Sequence, residues 1–206
     1  MNPTTTALIF IGFQNDYYAP DGVLHDFLEN SDYVRNSLAT TVALVKRLAP
    51  TKVTMIETSI LFSGDYAELR EATGILAAIR DVRAFQEGTP GSDVVAELLP
   101  WCHRILSVPG KCGFDAFVNT GLEAELHRHH IRDVVLLGSI ASICIDATGR
   151  SAAERGFAVH FVADCITGRT RNARDIYCKE VFPGYGNVTT AQALGDALIT
   201  RSRRIE

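Results

Sequence analysis

Asp133-Val134-Val135-Leu136-Leu137-Gly138-Ser139-Ile140-Ala141-Ser142-Ile143-Cys144, continued by Ile145-Asp146-Ala147-Thr148-Gly149-Arg150-Ser151-Ala152-Ala153-Glu154-Arg155-Gly156, reads as a strand, a tight turn and a helix with a cysteine at the join. The run from Val134 to Gly138 is short, apolar and free of alternation, the pattern of a strand covered on both faces in a parallel sheet. The small-residue stretch after Cys144 has helical composition and stops at Gly156. Cys144 therefore falls at or near a helix N-terminus, where unpaired amides and the positive end of the helix dipole favour thiolate over thiol. The same amides can receive an oxyanion. A cysteine can equally serve as a small buried hydrophobe, and position alone leaves both roles open.

Outward from this stretch, the same alternation repeats. Residues 7–11, 53–58, 104–108 and 158–162 are further apolar strands. Glu57 falls at the carboxyl end of the second, and Lys111 follows the third after Pro109-Gly110. In residues 32–48, Val34, Leu38, Val42, Val45 and Leu48 recur at three- and four-residue steps, predicting an amphipathic helix that Pro50 ends. Irregular helix is expected over 61–84, interrupted by Gly64 and Gly74. A helix over 93–99 is expected with Ser92 as its cap and Pro100 as its stop, another over 119–127, and a last one over 189–198 capped by Thr189 or Thr190. Strands alternating with helices predict an α/β three-layer sandwich: a mostly parallel, doubly wound sheet with helices on both faces. Ligands of such sheets sit outside the strand carboxyl ends, where Gly12, Glu57, Lys111 and Cys144 converge.

Composition narrows the classes. With 206 residues and no linker or repeat, the chain reads as a single domain over 1–206. Hydrophobic residues make up 47% and charged ones 21%, values ordinary for a soluble globular protein. A net charge of −4 argues against a nucleic-acid surface, and the basic Arg201-Ser202-Arg203-Arg204 reads as a frayed, solvated end. Five irregularly spaced cysteines without a Cys-x-x-Cys pair fit a reducing cytoplasm better than a disulfide framework. Thr4-Thr5-Thr6 leads into an apolar strand with no basic region before it, so a signal peptide is not expected, and without an apolar run of about 20 residues neither is membrane association.

The remaining motifs are tested against specific chemistries. Gly12-Phe13-Gln14 lacks the glycine spacing that cradles a dinucleotide phosphate. His127, His129 and His130 lie at a helix end without the Cys or carboxylate spacing of a metal site. Lys111, in contrast, precedes Cys112-Gly113-Phe114-Asp115-Ala116-Phe117, which is not the composition of a solvated helix, and a cysteine nucleophile requires a neighbouring cation.

Here an ordered set of motifs resembles the isochorismatase-like cysteine hydrolases, the superfamily that includes nicotinamidases and N-carbamoylsarcosine amidases. Phe13-Gln14-Asn15-Asp16-Tyr17 is similar to the family's segment after the first strand, and Gly88-Thr89-Pro90-Gly91 to its turn. Lys111 with Ala116-Phe117 and Thr120-Gly121-Leu122 is similar to its lysine motif. Gly138 to Thr148 is similar to its nucleophile motif, and Val162-Ala163-Asp164 to the strand end beyond it. The resemblance implies Cys144 as nucleophile, Lys111 as its supporting cation, and backbone amides around Ala141, Ser142 and Ile143 as an oxyanion hole, with an unusual cis bond between Ile140 and Ala141. Gly12 and Phe13 would border the ligand.

One departure stands out. The family's triad is Asp, Lys and Cys, and Gly12 occupies the aspartate's place. Asp16 matches a second acidic position, not the base. Thr58-Ser59-Ile60-Leu61-Phe62 has none of the ligands of the metal-binding members, so neither zinc nor iron, nor any other cofactor, is expected. Three readings follow: Glu57 has become the base, the chain binds a small molecule without turnover, or Gly12 was engineered. The resemblance implies hydrolysis of a small amide or related C–N bond through a Cys144 thioester, in a homodimer or homotetramer. The alternative is a small-molecule-binding or regulatory relative.

Overall fold

The computed structural model describes residues 1–29 and 32–203. Its six strands are β1 (Thr6–Ile11), β2 (Thr54–Thr58), β3 (Leu106–Ser107), β4 (Asp133–Gly138), β5 (Ala158–Ile166) and β6 (Asn187–Thr189). They form one sheet in the order β3-β2-β1-β4-β5-β6, and every pairing is parallel. The chain winds outward from β1 in both directions, so the crevice between β1 and β4 is the point at which such folds bind ligands.

Helices α1 (Asn15–Tyr18), α2 (Asp32–Leu48), α3 (Gly74–Asp81), α4 (Leu122–Arg128), α5 (Asp146–Glu154), α6 (Arg171–Ile176) and α7 (Ala191–Ser202) complete the chain. Strand alternation sorts the core into two faces. Ala7, Ile9, Ile11, Val134, Leu136, Val159 and Phe161 pack with Leu122 and Leu126 of α4 and Ala152 of α5. Leu8, Phe10, Val135, Leu137 and Val162 pack against Leu44, Val45 and Leu48 of α2 and Leu194 and Leu198 of α7. A third cluster, with Tyr17, Ile60, Phe62, Tyr66, Ile79, Phe85 and Ile140, lies beyond the strand ends. The sheet and its two helical layers follow from the hydrophobic runs, because burial on both faces requires apolar side chains at every position of a central strand.

Local differences have local causes. Ser92 does not cap a helix: it closes the tight turn Pro90–Ser92, where its hydroxyl donates to the Thr89 carbonyl. The helical stretch begins later and runs through Pro100 as Ala96–Arg104, in the tighter 3₁₀ form. Residues 61–84 hold a single turn, Ala67–Leu69, and the short α3, whose first residue Gly74 has a φ of 59°. β6 lies in what composition marks as loop. Thr190 caps α7, accepting from the Ala193 amide, while Thr189 ends β6. Arg201 and Ser202 close α7 as helix, whereas Arg204 lies outside the described residues. No helix among the described residues is long and apolar enough to cross a membrane.

Candidate active site

Cys144 sits in one wide turn, Ala141–Ile145, that carries i to i+5 hydrogen bonds and runs directly into α5. Such turns gather at functional sites because the extra residue re-aims the side chains. The turn is positioned from both sides: the Ala141 amide donates to the Thr167 carbonyl, and the Ile143 and Ile145 amides donate to Ile140. Ser139 lies just upstream, its hydroxyl 2.6 Å from the Tyr18 hydroxyl and 2.7 Å from that of Thr167. The cis bond is Ser139–Ile140, one position earlier than the expected Ile140–Ala141.

Lys111 is fully buried, and its Nζ stands 3.2 Å from the Cys144 Sγ. Its other acceptor is the Gly113 carbonyl. The backbone holds it there by continuing the parallel pairing past the strand ends, with Lys111 N to Ser59 O and Leu61 N to Lys111 O both at 3.3 Å. Among the described residues no carboxylate pairs with this ammonium. A buried cation without a counter-charge is strongly disfavoured, so the sulfur is the group that can balance it.

The pair opens onto a tight cleft of about 10 Å³, room for about one water. Its walls are Tyr17, Ile60, Phe62, Ile75, Leu76, Ile79, Phe114 and Ile143, all apolar apart from the tyrosine hydroxyl. Reading from sequence missed Tyr17 and the α3 wall. Tyr17 was visible in the motif after β1, but nothing local aims it at Cys144, and α3 reaches the site only through tertiary packing.

Glu57 is a correction. In register with Phe10, it projects from the α2/α7 side of the sheet, whereas Cys144 packs with the α4/α5 side. Period-2 alternation decides this, because the odd and even positions of one strand face opposite layers. The carboxylate accepts from Ser59 Oγ at 2.6 Å and from Ser107 Oγ. It lines a separate cavity of about 200 Å³ with Gly12, Phe13, Val94, Leu98 and Cys102. Phe13 belongs there too, stacked on Tyr18 at 5.5 Å and edge-on to Phe10 at 5.9 Å, and so is not brought to Cys144. Of the amides expected to receive an oxyanion, those of Ala141 and Ile143 already donate, to the Thr167 and Ile140 carbonyls, so Ser142 and Cys144 are the remaining candidates.

Gly12 has a φ of +70°, and a Cβ there would stand 3.1 Å from the Ser139 carbonyl oxygen, so the backbone itself favours glycine. The neighbouring motif residues are structural. Gln14 donates to the Ile60 and Ser92 carbonyls and accepts from the Ile60 amide, each at 2.8 Å. Asp16 accepts from the Phe85 amide at 2.6 Å, and a Cβ on Gly91 would overlap its carboxylate. That explains the Gly-Thr-Pro-Gly turn.

A model of the isochorismatase domain matches residues 6–193. The chain belongs to the isochorismatase family. It is 26% identical over 171 residues to the isochorismatase family protein YddQ of Bacillus subtilis, covering 83% of this chain and 82% of that one. It is 22% identical over 163 residues to nicotinamidase 3 of Arabidopsis thaliana, covering 79% and 73%. A cysteine hydrolase from Pseudomonas syringae pv. phaseolicola superimposes with a TM-score of 0.85 at 18% identity, over 98% of this chain and 95% of that one, a likeness of fold.

Proposed function

We propose that this family member hydrolyses a small, neutral amide through a thioester on Cys144. The observation that carries the reading is the fully buried Lys111 ammonium 3.2 Å from the Cys144 sulfur, with no carboxylate paired to it among the described residues. The cation holds the thiolate, which attacks the amide carbonyl carbon. The developing oxyanion is received by the Ser142 and Cys144 amides. The C–N bond then breaks, the nitrogen leaves with a proton, and water hydrolyses the thioester to return the thiolate. The apolar walls favour a neutral acyl group, which needs the cleft to widen beyond its present volume of about 10 Å³, and Lys111 is the one cationic side chain among the described lining residues. An anionic substrate would compete with the thiolate for that cation.

The test compares nicotinamide, uncharged, with maleamate, which carries a carboxylate, in wild type and Cys144→Ala, with mass spectrometry of the acylated protein. The expected result is faster release of ammonia from nicotinamide, an acyl adduct on Cys144, and loss of at least about 10³-fold in the variant. Turnover that survives in Cys144→Ala would sink the thioester reading. That no carboxylate among the described residues meets the thiol favours a second reading, a ligand-binding relative. Nicotinamide binding without ammonia release from any amide of a panel would select it.

A further inference from the structure

The reaction above leaves one need unmet: the departing nitrogen requires a proton, and among the described residues no carboxylate contacts Cys144 or Lys111. The tyrosines show what could meet it. A buried phenol normally finds a hydrogen-bond partner. The Tyr18 hydroxyl pairs with that of Ser139 at 2.6 Å, which in turn pairs with that of Thr167 at 2.7 Å, Tyr33 donates to the Gly168 carbonyl at 2.6 Å, and Tyr66 donates to the Ala84 carbonyl at 2.9 Å. Tyr17 as a residue is as buried as Tyr33 and Tyr66, at 3% exposure, yet its hydroxyl makes no hydrogen bond to another described residue and is not among the closed-off polar atoms. It lines the same 10 Å³ cleft as Lys111 and Cys144. Its ring edge also fills the space beside Gly12, with Cε2 3.5 Å from where a Cβ would be. The ring is fixed by Phe85, whose centroid lies 4.9 Å away. A fixed donor with no protein partner among the described residues, on a residue lining the same cleft as the nucleophile, is free to serve the substrate.

We propose that the Tyr17 hydroxyl is the general acid of the amide cleavage, an inference that rests on the thioester reading. As the C–N bond of the tetrahedral intermediate breaks, the nitrogen takes the phenol proton and leaves as the neutral amine. The electron pair of the O–H bond stays on the Tyr17 oxygen, held by the Lys111 ammonium that the departing negative charge has freed. Water then gives a proton back to the phenolate as its oxygen attacks the thioester carbonyl, the C–S bond breaks, and the thiolate is restored beside Lys111. Burial and the neighbouring Cys144 sulfur raise the Tyr17 pKa well above its ordinary value, so the phenol carries its proton at neutral pH.

The test exploits the leaving group. p-Nitrophenolate departs without a proton, whereas ammonia from nicotinamide cannot. Tyr17→Phe keeps the ring and its packing on Phe85 and removes the donor. The expected result is a fall of about 100-fold in kcat for nicotinamide, a much smaller fall for p-nitrophenyl acetate, and hence an ester-to-amide ratio raised at least tenfold, with KM for nicotinamide nearly constant. Equal losses on both substrates would make Tyr17 a packing residue, and no loss on either would remove it from the reaction. A wild type that acylates Cys144 from the ester but cleaves no amide would overturn the acid role while leaving the nucleophile in place. If neither substrate acylates Cys144, the thioester reading falls and takes this inference with it.

Discussion

Cys144 and Cys165 lie on opposite sides of the same sheet and are almost equally buried, at 5% and 0% exposure. One has an ammonium 3.2 Å from its sulfur. The other is surrounded by the packing of α2 and α7, and burial pushes its thiol from an ordinary value of 9.0 up to about 12, with the nearby Asp164 adding to the rise. Burial by itself therefore silences a cysteine, and the same burial with a cation in contact makes it a candidate nucleophile. Cys112 and Cys178 repeat the first half of the lesson: desolvation raises both, the latter to about 11.

The comparison can be broken most directly at its cation. Lys111→Met should make Cys144 resemble Cys165, so that alkylation by iodoacetamide at pH 7, followed by site-resolved mass spectrometry, slows by at least about tenfold. In wild type, Cys144 should label ahead of the exposed Cys102 as well as Cys112, Cys165 and Cys178. An unchanged rate in Lys111→Met would mean that the turn, not the lysine, activates the thiol.

The silent side of the comparison has a signature in stability. A group that holds its proton more tightly in the folded state contributes stability that is intact below its unfolded pKa and lost as pH rises toward the folded one. Cys165 is raised to about 12, Tyr18 is raised from 10.0 to about 12, and Tyr17 is raised by burial, so all three act in the same direction. Urea midpoints should be flat from pH 7 to about 9 and decline above it. Cys165→Ala, although less stable overall, should show a shallower decline between pH 9 and 10. A midpoint that rises over this range would contradict the burial argument.

Glu57→Gln probes the sheet's separation of the two faces and should have the smallest effect. Its kcat on nicotinamide should change far less than the roughly 100-fold that follows loss of a general base. A tenfold loss would place the carboxylate back in the reaction despite its register.

The sheet was legible in the sequence because buried parallel strands leave unbroken apolar runs such as Ala7 to Ile11 and Val134 to Leu137. Parity was harder. The alternation that turns Glu57 away from Cys144 is a property of pairing, and a run in which every residue is apolar gives no hint of which face each one takes. The placement of Lys111 and Cys144 beyond the carboxyl ends of β3 and β4 was readable from the fold class, but their 3.2 Å approach across the intervening strands depends on the Ile60 and Lys111 pairing beyond the strands. Tyr17 and α3 were not legible as site elements. Their position is set by packing among Tyr17, Phe62, Ile79 and Phe85, contacts that no local pattern encodes.

The strand order also bears on how the chain is made. β1 is synthesised before the other five strands yet ends in the middle of the sheet, with β2 on one edge of it and β4 on the other. Its first edge can be covered once Thr58 has been synthesised, but the second waits for Gly138, a delay on the order of ten seconds at about 5–20 residues per second. During that interval a strand that is apolar from Ala7 to Ile11 presents an open edge, the feature most prone to pair with another chain. For this topology, yield in the cell should depend on translation speed across the segment between β2 and β4 more than on the stability of the finished protein.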